Sequence, residues 1–268
     1  MTVITDNQFD ALKPISQTSK KFYNEFVLDA ENQIGIVSMP VGGRISFFGQ
    51  IHLVPIQGSF SMYGSNISKP WMRYPAYAPQ NQGLVLTCTK GSSSATGYDL
   101  DQHIRQVLES LLKQTKNKKD ALIGLVGCTQ NGLIGIQSVL DTTRHILENK
   151  SSSDVFHIDG FYHVENNSSS LMKFPVMWED CLNTIRKDLN VLCILGARNS
   201  GKSTFARYSM NKLLSVYERI AFLECDPGQS EFTAPGMVSL NIVSKPCIGR
   251  FIYNSINRPT IYSLAETD

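Results

Sequence analysis

The chain of 268 residues is 42% hydrophobic and 18% charged, enough apolar content for a sizeable core and too much for a disordered chain. Its net charge is +2, and residues 181–268 hold 10 basic against 7 acidic residues, an excess too small to announce nucleic-acid binding by charge alone. No run of about 18 apolar residues occurs, which excludes a helical membrane span, and no membrane partner is expected; MTVITDNQFD lacks the basic and apolar regions of a secretory signal.

Residues 1–25 are mixed and polar, and a poorly ordered start is expected there. From Phe26 the texture is that of β-strands, short β-branched and aromatic runs broken by Gly and Pro. Gly42 and Gly43 between two such runs predict a tight hairpin turn. Ile51, Leu53 and Pro55 then alternate with His52, Val54 and Ile56. Phe47, Phe48, Phe60 and Tyr63 fall at strand spacing, so they are assigned to a core rather than to base stacking. The run from Trp71 to Pro79 is too rich in proline for a regular element, and a strand resumes from Gly83 to Cys88.

At residues 101–113 the period changes. Ile104, Val107, Leu108, Leu111 and Leu112 recur at helical spacing and predict an amphipathic helix. Lys113, Lys116, Lys118 and Lys119 read as a solvated loop before an apolar strand over 121–126, and FHIDGFYHV as one or two short strands. Cys88, Cys128, Cys181, Cys193, Cys225 and Cys247 make no paired metal or redox spacing and read as reduced packing thiols. His103, His145, His157 and His163 form no cluster. The character changes after Ser170, where the boundary between two domains is placed.

Val191–Leu195 is an apolar run followed by GARNSGKST, residues 196–204, which fits the full G-x-x-x-x-G-K-[ST] pattern. Gly196 lets the chain turn sharply out of a strand, and Gly201 lets backbone N–H groups close around phosphate oxygens. Ala197, Arg198, Asn199 and Ser200 form the loop between them. Lys202 places a compact charge on the β- and γ-phosphates, Ser203 and Thr204 offer hydroxyls on the Mg²⁺ side, and a helix is expected to point its N-terminus at the nucleotide. Ala206, Met210, Leu213, Leu214 and Tyr217 carry that helix. A further strand from Arg219 ends in Glu224 and Asp226, where acids at a strand edge meet Mg²⁺ and the attacking group. Pro227 and Gly228 force a turn, which sets Gln229 beside the same crevice.

GARNSGKSTFARY followed by FLECDPGQSEFTAPGMVSLNIV resembles the polynucleotide 5′-hydroxyl-kinase family, and ECDPGQSEFTAPG resembles its nucleolar branch, which acts in pre-ribosomal RNA processing. FFGQIHLVPIQGSFSMYG is similar to the β-rich domain that precedes the kinase domain in that family. The resemblance implies an α/β protein. A β-rich N-terminal domain over 26–170 is followed over 171–268 by a partial P-loop NTPase domain on a doubly wound parallel sheet. It further implies ATP with Mg²⁺ and an RNA with a 5′-hydroxyl end. Lys202 would hold ATP, Asp226 would activate the hydroxyl, and Ser203, Asp226 and Glu224 would lie on the metal side. A partner in an rRNA-processing endoribonuclease complex and a place in the nucleus and nucleolus follow from the same resemblance. Family kinases continue into an arginine-bearing lid and an RNA-clamping region, so a C-terminally truncated kinase domain is the expectation. A non-catalytic nucleotide-binding scaffold that docks a processing nuclease stands as the alternative. A GTPase would carry an N/T-K-x-D element beyond its phosphate loop, and no such string follows residue 204 here.

Overall fold

The computed structural model describes residues 23–79, 82–91, 100–128, 156–165, 168–184, 191–226, 228, 231–233, 236–249 and, as backbone, 257–263. The expectations for residues 1–22, His145, Pro227 and Gln229 lie outside the described residues.

The strands β1 (Glu25–Asp29), β2 (Ile34–Met39), β3 (Arg44–Gln57), β4 (Ser59–Met62), β5 (Ser65–Ile67), β6 (Tyr74–Ala78) and β7 (Leu84–Lys90) precede helix α1 (Gln102–Gln114). Strands β8 (Ala121–Gly127) and β9 (Phe161–Val164) follow, then helices α2 (Val176–Asn183) and α3 (Lys202–Leu213). The chain continues through β10 (Ile220–Glu224), β11 (Met237–Val243), β12 (Ile248–Gly249) and β13 (Asn257–Ser263). One ten-stranded sheet runs β1-β2-β8-β3-β7-β4-β5, with β6 and β9 also on β3 and β12 on β6. A second sheet has three strands, β10-β11-β13.

The long β3 organises the first sheet. Its first half pairs with β7 and β9 and its second half with β6 and β8, all antiparallel. One strand thus serves two sets of neighbours, and the sheet folds over an interior filled by Phe47, Phe60, Phe156, Phe161, Ile51 and Leu53, none more than 1% exposed. Phe47 and Phe161 stack at 5.1 Å, and Phe156 meets Phe161 edge-on at 5.2 Å. All four aromatics assigned to the core, Phe47, Phe48, Phe60 and Tyr63, are buried. On the other face α1 lays Leu108 and Leu111 over Ile34, Ile36, Val54, Leu122 and Val126. Asp101 caps α1 by accepting from the backbone N–H groups of His103 (2.9 Å) and Ile104 (3.3 Å). Burial on both faces explains why β2 and β8 read as continuous apolar runs.

Several expectations change. The turn at Gly42–Gly43 forms, with the N–H of Gly43 donating to the carbonyl of Pro40 (2.8 Å), but it closes no hairpin. Strand β8 lies between β2 and β3, because both bury apolar faces and both find a better antiparallel partner in β8. The proline-rich run 71–79 does contain a strand, β6. It sits at the sheet margin with only the two-residue β12 beyond it, where the missing donor of Pro75 interrupts no long ladder. The apolar run Val191–Leu195 forms no strand, and Val191 and Leu195 are 78% and 76% exposed. A buried parallel strand needs neighbours on both edges, and among the described residues β10 pairs only with β11, antiparallel. The second sheet is therefore antiparallel where a parallel one is expected from the sequence.

Chain on both sides of Ser170 contributes to the large core. Leu171 is buried and bridges Gly83, and β12 returns to pair with β6, bringing Ile248 into the same apolar cluster. Helix α3 packs its Met210 with Phe232, Val243 and Cys247, flanked by Leu214, Ile220 and Phe222, in a smaller core of its own. Among the described residues no helix is long and apolar enough to cross a membrane.

Candidate active site

The phosphate-loop motif, residues 196–204, runs directly into α3. Its pivot is Gly201, the N-cap of the helix, at φ +85° and ψ +14°. That left-handed conformation is open to glycine and penalised for residues with a Cβ. Asn199 is also left-handed, at φ +61°. The first helical bond runs from the N–H of Phe205 to the carbonyl of Gly201 (2.8 Å). No side chain caps the helix and its first turn holds no acid, so the leading N–H groups and the helix dipole present a positive end.

These features fit a phosphate group. A Cβ at Gly196 would stand 2.8 Å from Ser200 Oγ, so a larger residue there would require the serine hydroxyl to turn away from the loop. Lys202 folds its Nζ back to the carbonyl of Ala197 (2.6 Å), holding the ammonium over the loop. Arg198, Asn199, Ser200 and Ser203 are exposed, and Thr204 is half-buried. Among the described residues no group of three or more His, Cys, Asp or Glu side chains is gathered for a metal. Mg²⁺ fits such a site differently, since it keeps several waters and binds through one or two carboxylates together with substrate phosphates.

The two acids at the end of β10 and just beyond it part company. Asp226 is exposed, and its Oδ1 accepts from the N–H of Gly228 (3.0 Å), a local turn that orients the carboxylate. Glu224, placed on the metal side by the sequence, is instead 5% exposed. Its carboxylate accepts from the N–H of Glu231, from the N–H of Phe232 (3.2 Å) and from Ser239 Oγ (3.3 Å). The extra methylene lets it reach the loop that returns to β11, and these donors satisfy the charge that burial would otherwise make costly. Its role in this structure is to fix that loop.

Three residues that the sequence did not single out complete the neighbourhood. Arg207 of α3 forms a two-point ion pair with Glu231, with Nε at 2.9 Å from Oε2 and Nη2 on Oε1. Its Nη1 donates to the Tyr63 hydroxyl (3.0 Å). Asn211, fully buried, donates to the carbonyls of Tyr63 and Cys247 (both 2.8 Å) and accepts from the N–H of Cys247 (2.7 Å). A signal was present. Arg207 and Asn211 lie four apart on the same helix as Met210, and polar residues inside an otherwise apolar stripe mark a face that meets polar partners.

The region 196–262 matches the family model for the P-loop of mRNA cleavage and polyadenylation factor CLP1. A polynucleotide 5′-hydroxyl-kinase, nol9 of Dictyostelium discoideum, is 31% identical over 236 residues, covering 80% of this chain and 34% of its own. The GRC3 kinase of Cryptococcus neoformans is 27% identical over 222 residues, covering 80% of this chain and 27% of its own. Over most of its length this chain is thus similar to NOL9/GRC3 polynucleotide 5′-hydroxyl-kinases. The NOL9 kinase of Arabidopsis thaliana reaches 53% identity over 55 residues, covering 20% of this chain and 15% of its own. The chain spans about a third of the length of the curated relatives it matches over most of its own.

Proposed function

We propose that this chain carries the ATP-binding part of a polynucleotide 5′-hydroxyl-kinase, which moves the γ-phosphoryl group of ATP to the 5′-hydroxyl of RNA during ribosomal RNA processing in the nucleolus. The observation that carries the reading is the G-x-x-x-x-G-K-S loop, closed by the left-handed Gly201 against an uncapped helix end, in a chain whose relatives are named as such kinases. Phosphoryl transfer asks little covalent chemistry of the protein and depends on positioning and charge neutralisation. The backbone N–H groups of residues 197–203 and the Lys202 ammonium hold the phosphates. Asp226, exposed beyond β10, accepts the proton of the attacking hydroxyl. Ser203 and Asp226 would hold Mg²⁺ on this side of the site, and the ion would supply further charge neutralisation when bound.

The test uses the chain 1–268 with γ-labelled ATP and a single-stranded RNA bearing a 5′-hydroxyl, beside Lys202→Ala and Asp226→Asn. Label on the RNA 5′ end should fall by at least about 10²-fold in both variants, the scale for loss of a charge-stabilising or proton-accepting group. Binding of ATP with no transfer would instead support the scaffold reading, in which the nucleotide is held and a processing nuclease is docked.

A further inference from the structure

The tip of the β4–β5 hairpin is occupied by Tyr63 and Gly64, at φ +52° and +77°. Two-residue hairpin turns of this hand need positive φ at both positions, and Asn or Asp followed by Gly normally fills them. A bulky aromatic in the left-handed region carries strain and persists only where its surroundings hold it. Here the surroundings are the helix that follows the phosphate loop. A Cβ on Gly64 would lie 2.6 Å from the carbonyl oxygen of Tyr208, so the hairpin tip touches the helix backbone. Asn211 holds the carbonyl of Tyr63, and the rings of Tyr63 and Tyr208 each pack against Phe174 at 5.1 Å.

From this contact a line of bonds runs to the loop of Asp226. The Tyr63 hydroxyl reaches the carbonyl of Thr204 in the first turn of α3 (3.5 Å) and accepts from Arg207 (3.0 Å). Arg207, 9% exposed, grips the Glu231 carboxylate at two points. The N–H groups of Glu231 and Phe232 are in turn fixed by Glu224 at the end of β10. Asp226 lies between Glu224 and Glu231, so both ends of its loop are tied to one another and to the helix that begins with the phosphate loop. Resting on the kinase reading, we propose that Tyr63, Arg207 and Glu231 form a strut that sets the Asp226 loop against the phosphate loop, with Tyr63 and Arg207 as positioning residues for phosphoryl transfer.

The chemistry suits that task. A planar guanidinium bound at two points fixes angle as well as distance, which a lysine cannot do. Burial pushes the Tyr63 hydroxyl up to about 12, opposed by the charge of Arg207 and reinforced by that of Glu231, so the hydroxyl keeps its proton and donates to Thr204. The β-rich region thereby reaches into the geometry of the nucleotide site without touching the substrate.

The experiment compares wild-type 1–268 with Tyr63→Phe, Glu231→Gln and Arg207→Lys by two readouts. The first is amide hydrogen exchange. Tyr63→Phe and Glu231→Gln should speed exchange about tenfold at 205–207 and 224–233, the loss of about one hydrogen bond, while 45–62 and 121–126 stay protected. Arg207→Lys should keep part of the protection. The second readout is transfer from ATP to 5′-hydroxyl RNA. In Tyr63→Phe kcat should fall about tenfold with KM for ATP within about twofold, since misplacement of a reacting group costs rate rather than nucleotide binding. Unchanged exchange at 224–233 in Glu231→Gln would overturn the strut, and so would a fall in rate that merely follows loss of protection throughout the chain. A wild type without transfer would overturn the kinase reading alone, and the exchange comparison would then decide the strut.

Discussion

The β-rich region and the phosphate-loop region are built on opposite terms. The first buries Phe47, Phe60, Phe156 and Phe161 to 1% exposure or less and covers its outer face with α1. Among the described residues the second gathers Met210, Phe232, Val243 and Cys247 as a buried cluster and leaves Val191, Leu195 and Leu223 on the surface. Burial of apolar area is the main stabilising term in folding, so the first region carries its own stability. The second takes its order from elsewhere: from the hairpin tip at Tyr63, from the Arg207–Glu231 pair and from β12 paired to β6. The helix that follows the phosphate-loop motif is thus held by polar bonds to the β-rich region as well as by the small core beneath it. Regions with few buried apolar contacts open at low free-energy cost, and a nucleotide loop is a natural member of that class.

The largest effect expected to break this contrast comes from Gly64→Ala. The substitution forces a Cβ into a left-handed position and toward the Tyr208 carbonyl, 2.6 Å away. The cost should be about 2–4 kcal/mol, the sum of the backbone penalty and the overpacking. It should appear as rapid amide exchange and proteolysis within 202–213, with β2, β3 and β8 still protected. Equal loss of protection in both regions would mean that the two melt as one cooperative unit and that the contrast fails.

Much of the β-rich region was legible because its elements follow simple periods. Ile104, Val107, Leu108, Leu111 and Leu112 gave away α1. Gly83 marked the start of β7, and the polar run ending at Asp120 marked the start of β8, so both strands form as read. Pairing was not legible. Nothing local to Gly42–Gly43 says that β8, far later in the chain, will insert between the strands on either side. The phosphate loop was legible as a string because its chemistry demands glycines and a lysine at fixed spacing. The strut was not, because Tyr63, Arg207 and Glu231 are brought together by the packing of distant segments, and each alone resembles an ordinary strand aromatic, helix arginine or loop acid. Glu224 shows the converse. Its place beside Asp226 suggested metal chemistry, while the structure commits both its oxygens to the backbone of the return loop.

A second, smaller effect sharpens the comparison through pH. His52 on β3 lies with Nδ1 at 3.0 Å from Arg73 Nη2 and 3.3 Å from Cys128 Sγ. Burial first, and then the charge of Arg73, hold it down to about 4 from an ordinary 6.5. Above pH 6.5 the ring is neutral in both folded and unfolded chains and stability is intact. As pH falls from 6.5 toward 4 the unfolded chain takes up a proton that the folded chain refuses, so stability drops, by about 2 kcal/mol after allowing for partial exposure. Urea unfolding at pH 7.5 and 4.5 should show wild type losing that much more than His52→Gln. The loss should register in the β-rich region. An identical acid sensitivity in the variant would place the titrating group elsewhere.

The smallest effect tests the phosphate-loop region where it is least buried. Leu223 on β10 is 62% exposed and faces away from the cluster around Met210, on the same side as the partly exposed Leu240 and Ile242 of β11. If that face meets water, Leu223→Thr removes little burial and places a β-branched residue in a strand, so stability by chemical denaturation should change by no more than about 0.5 kcal/mol. A loss above about 1 kcal/mol would show that the face is covered in solution, because only a side chain shielded from water carries that much transfer free energy. The phosphate-loop region would then hold a second source of order beyond the hairpin and the ion pair, and its dependence on the β-rich region would be correspondingly smaller.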